Sequence, residues 1–117
     1  MSKKYSTVLV EGDSMEPTYS AGDWLMAKWG DYALKSQRLS LGNLFGDRIE
    51  VGDVAVIERP EQPGIFYIKR ITEVRYESNQ IFVSSDNPIG TDSRQWGWLP
   101  VLSVKARVLS RVRRGKK

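Results

Sequence analysis

The sequence predicts an all-β fold, a single compact domain of short strands forming a folded sheet or partly open barrel. Three observations lead there. Short runs rich in β-branched and aromatic residues recur along the chain, turns rich in Gly, Pro, Asn and Asp separate them, and no stretch carries a convincing helical period. At 117 residues the chain can build one modest core but hardly two, so residues 1–117 read as one domain.

The first strand runs from Tyr5 to Val10 and ends in a polar turn, Glu11-Gly12-Asp13-Ser14-Met15-Glu16-Pro17-Thr18. Gly and Asp before the serine and Pro after it present the Ser14 hydroxyl at a sheet edge, within reach of solvent. A second turn, Ala21-Gly22-Asp23, leads into a strand over residues 24–29. Between Gly30 and Glu50 the period is lost and glycines recur, which predicts a long loop excursion with one short ordered piece. Val51-Gly52-Asp53 repeats the earlier turn chemistry and opens a strand over 54–57. The turn Arg59-Pro60-Glu61-Gln62-Pro63-Gly64 then joins it as a hairpin to a long strand over 65–74. Glu77-Ser78-Asn79 turns the chain into a strand over 80–84, and residues 85–97 have the composition of a structured loop. One or two strands between Val101 and Val112 close a set of about seven, followed by a basic tail over 113–117.

The chain has neither cysteine nor histidine. That removes disulfides, the Ser/His/Asp triad, cysteine nucleophiles and nearly all common metal sites, so no metal or cofactor is expected. If Ser14 is a nucleophile, its base must be a lysine or a carboxylate. An ordinary lysine titrates near 10.4, and bringing it close to neutrality takes a shift of about 3 units, or about 4 kcal/mol, which burial can supply. Lys69, between Tyr67-Ile68 and Ile71, has the most apolar neighbours in sequence, and Lys28 is second. Strand alternation places Ile65, Tyr67, Lys69 and Ile71 on one face and Phe66, Ile68 and Arg70 on the other, and both faces are apolar. On the residues alone, Ser14 also fits a turn or cap serine and Lys69 a snorkelling strand lysine.

The net charge of +4 is unevenly placed: Arg107, Arg111, Arg113, Arg114, Lys116 and Lys117 crowd the C-terminal end, and Lys3 and Lys4 sit at the N-terminus. Such a cluster suits nucleic acid or anionic lipid, and equally a solvated, frayed terminus. Trp24, Trp29, Trp96 and Trp98 could stack bases, but the chain lacks a ribonucleoprotein motif, which disfavours nucleic acid as a partner. Contact with a membrane surface through Met15, Trp24 and Trp29 is a further option, packing being the alternative use of those residues. No apolar run approaches the roughly 20 residues of a membrane span, and no signal-peptide core opens the chain, so the expected location is cytoplasmic or peripheral to a membrane.

Three separated segments resemble one family, in its order. Residues 12–18, with Ser14-Met15-Glu16-Pro17-Thr18, resemble the serine motif of the signal peptidase I family; Tyr67-Ile68-Lys69-Arg70-Ile71 resembles its lysine motif; and Ser85-Asp86-Asn87-Pro88-Ile89-Gly90-Thr91-Asp92-Ser93-Arg94 with Gly97 resembles the segment that buttresses the dyad. The resemblance covers roughly residues 8 to 100 and extends to the compact, unanchored members, among them peptidases that trim nickel superoxide dismutase precursors. It implies the signal peptidase/LexA-like β fold and a serine endopeptidase acting on a protein or peptide substrate, with Ser14 as nucleophile and Lys69 as general base. The Ser14 N–H would serve the oxyanion, with Gly12, Asp13 and Thr91 in positioning roles, and Met15, Pro17, Asp86, Asn87, Asp92, Ser93 and Arg94 as structural neighbours. Asp92 and Arg94 would pair behind the site. Where some members carry a serine two residues before the nucleophile, Gly12 stands. The serine that orients the lysine aligns with Gly90, one residue is missing from that loop, Thr91 is the nearest hydroxyl in sequence, and the loop's leading glycine is Ser85. A sister resemblance, to LexA/UmuD-type autopeptidases, shares the Gly-Asp-Ser-Met turn. It is disfavoured by the lack of a small-residue-Gly bond upstream of Ser14 and by the Asp92-Ser93-Arg94 segment.

Overall fold

At the centre of the sheet lies the strand with the most continuous apolar sequence, Val54-Ala55-Val56-Ile57, and it is buried on both faces. The computed structural model describes residues 4–35 and 47–115. Its strands are β1 (Tyr5–Leu9), β2 (Trp24–Trp29), β3 (Tyr32–Leu34), β4 (Asp47–Ile49), β5 (Val54–Glu58), β6 (Phe66–Arg75), β7 (Gln80–Ser84), β8 (Leu99–Pro100) and β9 (Val104–Arg113), with a short α-helix α1 (Ser93–Trp96) and a single 3₁₀ turn over Val101–Ser103 among the described residues. Seven of them form an antiparallel sheet in the order β1-β2-β9-β5-β6-β7-β8, and β3 pairs with β4 in parallel. The edges β1 and β8 do not meet, so the sheet is curled but open, the all-β architecture expected. Register shifts between Met26 and Ala27, Val56 and Ile57, and Ile71 and Glu73 bend it.

Alternation along β5 divides the interior in two. Ala55 and Ile57 join Ile71, Ile81, Val83, Leu99 and Val101 in one cluster, whereas Val54 and Val56 join Val10, Met15, Leu25 and Val108 in another. A strand with a core on each face needs apolar side chains at consecutive positions, which explains why β5 lacks the alternation of a half-exposed strand. Burial of a side chain such as Leu25 or Ile57 contributes about 1.5–3 kcal/mol.

The predicted strands over 5–10, 24–29, 54–57, 65–74 and 80–84 correspond to β1, β2, β5, β6 and β7, and the predicted hairpin is the β5–β6 pair. Three regions differ. Between 30 and 50 there are two ordered pieces, β3 and β4, rather than one, while residues 36–46 lie outside the described part. Tyr32, Leu34 and Ile49 plug the first cluster, and Lys28 pairs with Asp47 at 2.9 Å. Three-residue strands are too short to show a period, and tertiary contacts select them. Within 85–97, Asp92 caps the four-residue α1, which is also too short for a helical period. The basic terminus is less frayed than predicted: β9 runs through Arg113, and the Arg111 guanidinium donates to the Thr18 carbonyl at 3.2 Å and to Asp23 Oδ2 at 3.3 Å. The Gly115 N–H donates to Asp23 Oδ1 at 2.7 Å, and Lys116 and Lys117 lie outside the described part. No helix among the described residues is long and apolar enough to cross a membrane.

Candidate functional site

The serine turn is pinned at both ends. The Val10 N–H donates to the Asp23 carbonyl at 2.9 Å and the Gly22 N–H to the Val10 carbonyl at 2.8 Å, so the residue after β1 is locked to the second turn. Gly12 has φ +75°, a left-handed conformation that favours glycine, and a Cβ there would touch nothing, so backbone geometry and not space requires it. The Met15 side chain, 1% exposed, anchors the turn in the second core and holds Ser14 half-buried beside it. Pro17 is exposed, and the neighbouring Thr18 hydroxyl donates to Asp86 Oδ2 at 2.6 Å.

Lys69 stands on β6 opposite Ala55, on the face it shares with Tyr67 and Ile71. It is only 3% exposed. Its Nζ donates to Ser85 Oγ at 2.9 Å and lies 5.8 Å from the centroids of both the Tyr67 and Trp96 rings. Among the described residues it forms no ion pair. Burial pushes its pKa below the usual lysine value, and the Asp92 carboxylate, too far for a salt bridge, pulls it partly back. Lys28 is in the opposite condition: its hydrogen bond to Asp47 raises its pKa and keeps it charged.

The loop after β7 ties these two pieces together. The Asn87 N–H donates to the Ser14 carbonyl at 2.9 Å and its side-chain amide to the Asp13 carbonyl at 3.0 Å. Asp86 receives Arg70 Nε and Nη2, each at 2.8 Å, and these bonds hold its carboxyl below the usual range against the opposing effect of burial. Asp92 is fully buried, accepting from the Ser85 N–H at 2.7 Å and from the Arg94 N–H and Nε at 2.9 Å each. Burial alone would raise its pKa, but these donors outweigh it and the carboxyl is held low. Ser93 Oγ accepts from the Val83 N–H at 3.0 Å, and Arg94 Nη2 donates to the Gly90 carbonyl at 2.9 Å. A Cβ on Gly90 would lie 3.1 Å from Ser14 Cβ and 2.3 Å from Ser85 Oγ, so the nucleophile candidate and the lysine's partner flank one point.

Ser14, Lys69, Asp86, Asn87, Asp92, Ser93 and Arg94, far apart in sequence, thus form one connected neighbourhood. Ser14 and Lys69 share no hydrogen bond in this arrangement. The expected positioning hydroxyl of Thr91 differs from what is seen. Thr91 is exposed and enters through its main-chain carbonyl, which accepts from Ser85 Oγ at 3.3 Å, while the hydroxyl on Lys69 belongs to Ser85. Ser85, which the resemblance gave no role, is the residue in hydrogen-bond contact with Lys69, and its signal in the sequence is a serine standing where the resembling motif has glycine. Arg70 and Thr18, which brace Asp86, stand inside the lysine and serine motifs. Beside Ser14 a cleft of about 190 Å³ opens between the end of β1 and the start of β6, lined by Leu9, Val10, Glu11, Met15, Tyr67 and Ile68. Among the described residues no cluster of three or more metal-ligating side chains occurs.

No curated protein matches the chain. Residues 2–74, which include the serine turn and Lys69 but end before the Ser85–Arg94 loop, match the family described as signal peptidase, peptidase S26. The match covers more than half of the sequence, and the chain belongs to the signal peptidase S26 family.

Proposed function

We propose that the protein is a serine endopeptidase with a Ser14/Lys69 dyad that removes an N-terminal leader or propeptide from a protein substrate. The neutral Lys69 amine takes the Ser14 proton as Ser14 Oγ attacks the peptide carbonyl. The Ser14 N–H faces the developing oxyanion. As the C–N bond breaks, the proton passes from Lys69 to the leaving amine. Water, deprotonated by the Lys69 amine, then attacks the acyl-enzyme carbonyl and releases the acyl group, and Lys69 returns the proton to Ser14 Oγ.

The observation that carries this reading is Lys69: a lysine 3% exposed, without a carboxylate partner among the described residues, and in one small cluster with a turn serine. Burying a lysine without a counter-ion costs stability, and a lowered pKa is what a base working near neutrality needs. The cleft suits an extended chain. Among the described residues the outer edge of β1 is unpaired and β6 pairs with β7 only from Arg70 onward, so residues 66–69 leave one main-chain edge open. Two open strand edges across a narrow cleft favour recognition of main chain with small side chains near the cut.

The reading is tested with fluorogenic peptides bearing small residues before the scissile bond, and with a penem whose covalent adduct is weighed by intact mass. Cleavage and a single adduct on the wild type are expected, and both should vanish in Ser14→Ala and Lys69→Ala. Cleavage that persists in Ser14→Ala rules the dyad out.

A further inference from the structure

We infer that Ser85 is the positioning residue that aims the Lys69 amine, and that residue 90 is glycine because the Ser85 hydroxyl fills the space a side chain there would need. The inference rests on the Ser/Lys reading of the site.

The hydroxyl of Ser85 has one proton and two lone pairs. Its proton points to the Thr91 carbonyl at 3.3 Å, so towards Lys69 Nζ, at 2.9 Å, it acts as acceptor. A neutral amine that gives an N–H to Ser85 keeps its lone pair free and directed elsewhere, where it can take a proton from Ser14. Were Ser85 to donate instead, the lone pair would be occupied and the base quenched. The position of the hydroxyl is set from behind, because the Ser85 N–H is held at 2.7 Å by the buried Asp92 carboxylate.

Gly90 borders the same hydroxyl. A Cβ there would fall 2.3 Å from Ser85 Oγ and 2.6 Å from Ser85 Cβ, and the second atom is fixed to the backbone and cannot swing aside. Gly90 does not have the left-handed φ seen at Gly12, so the requirement for glycine is one of space. Side chains at 85 and 90 are therefore mutually exclusive in this loop, and the chain has its hydroxyl at 85. In the resembling motif the two residue types stand the other way round, with glycine leading the loop and serine at the position of Gly90.

The test is saturation kinetics of penem acylation, followed by intact mass on the full chain, for the wild type, Ser85→Ala, Gly90→Ser and the double variant Ser85→Gly/Gly90→Ser. Ser85→Ala is expected to lower the maximal acylation rate about 10²-fold with the half-saturating concentration unchanged, as for a misaimed catalytic group. The acidic limb of its pH–rate profile moves to lower pH, because the amine has lost an acceptor that favours its charged form. Gly90→Ser alone loses rate to a similar extent, and the double variant recovers most of it. A wild-type rate in Ser85→Ala overturns the inference, as does a double variant no better than either single one. So does a raised half-saturating concentration with an unmoved limb, the signature of a merely structural serine. Titration of the Lys69 ε-carbon by NMR in lysine-labelled protein needs no activity: its midpoint falls in Ser85→Ala if the contact holds, and an unchanged midpoint refutes it. A falling midpoint with no acylation of the wild type overturns the peptidase reading while leaving the Ser85–Lys69 contact standing.

Discussion

Replacing Asp92 by alanine asks where the loop behind the site gets its rigidity. The carboxylate is fully buried and has two kinds of partner: main-chain donors, the N–H groups of Ser85 and Arg94, and the Arg94 guanidinium. Removing it takes the N-cap from α1, about 1 kcal/mol, and strands the buried Ser85 N–H, about 1–3 kcal/mol. The guanidinium adds nothing to this sum, because Arg94 is 46% exposed and water takes over as its partner. The total, about 2–4 kcal/mol, is a large part of the roughly 5–15 kcal/mol that holds a domain together. At about 4 °C per kcal/mol for a chain of this size, Tm falls by roughly 10 °C. Urea unfolding followed by tryptophan fluorescence measures it, with a lowered midpoint and an unchanged slope expected. Arg94→Met serves as the comparison and should shift the midpoint several-fold less. The reasoning is refuted if Asp92→Ala melts with the wild type, or if Arg94→Met costs as much, since the guanidinium would then be the anchor.

Lys69→Met should be at least as stable as the wild type at pH 7. The folded-state pKa of Lys69 lies below 10.5, so between that pKa and 10.5 the unfolded chain binds more protons and wild-type stability rises with pH, by about 1.4 kcal/mol for each unit of depression. Urea midpoints from pH 7 to 10 should converge between the two proteins as pH rises, and a constant gap would show that the amine titrates normally. Gly12→Ala should cost about 1–2 kcal/mol in the same unfolding experiment although its Cβ meets nothing, because the left-handed φ of +75° penalises any Cβ. A midpoint equal to that of the wild type would mean the turn relaxes to another conformation.

Much of the sheet was legible because strand formation is signalled locally. The runs that became β2, β5, β6 and β7 are bounded by Gly-, Pro- or Asn-containing turns whose chemistry needs no tertiary context. The short elements were not legible: β3, β4 and α1 draw their stability from Tyr32, Leu34 and Ile49 in the core and from Asp92 at a helix start. The candidate site divides in the same way. Ser14 and Lys69 stand in stretches recognisable by residue type and order, whereas period-two alternation could not choose a buried face for Lys69, because both faces of β6 read as apolar. Its pairing opposite Ala55, and the Tyr67 and Trp96 rings around it, made that choice.

By itself, then, the sequence determined the all-β class, the family resemblance and a chemistry without histidine or cysteine, since these follow from composition and from motifs a few residues long. Only the tertiary structure decided which hydroxyl meets Lys69. Ser85 lies sixteen residues from the lysine, and Gly90 is set between Ser85 and Ser14 by the fold of a loop. Contacts of a few ångströms between segments so far apart depend on strand register and side-chain volume, and neither is written in the local pattern of residues.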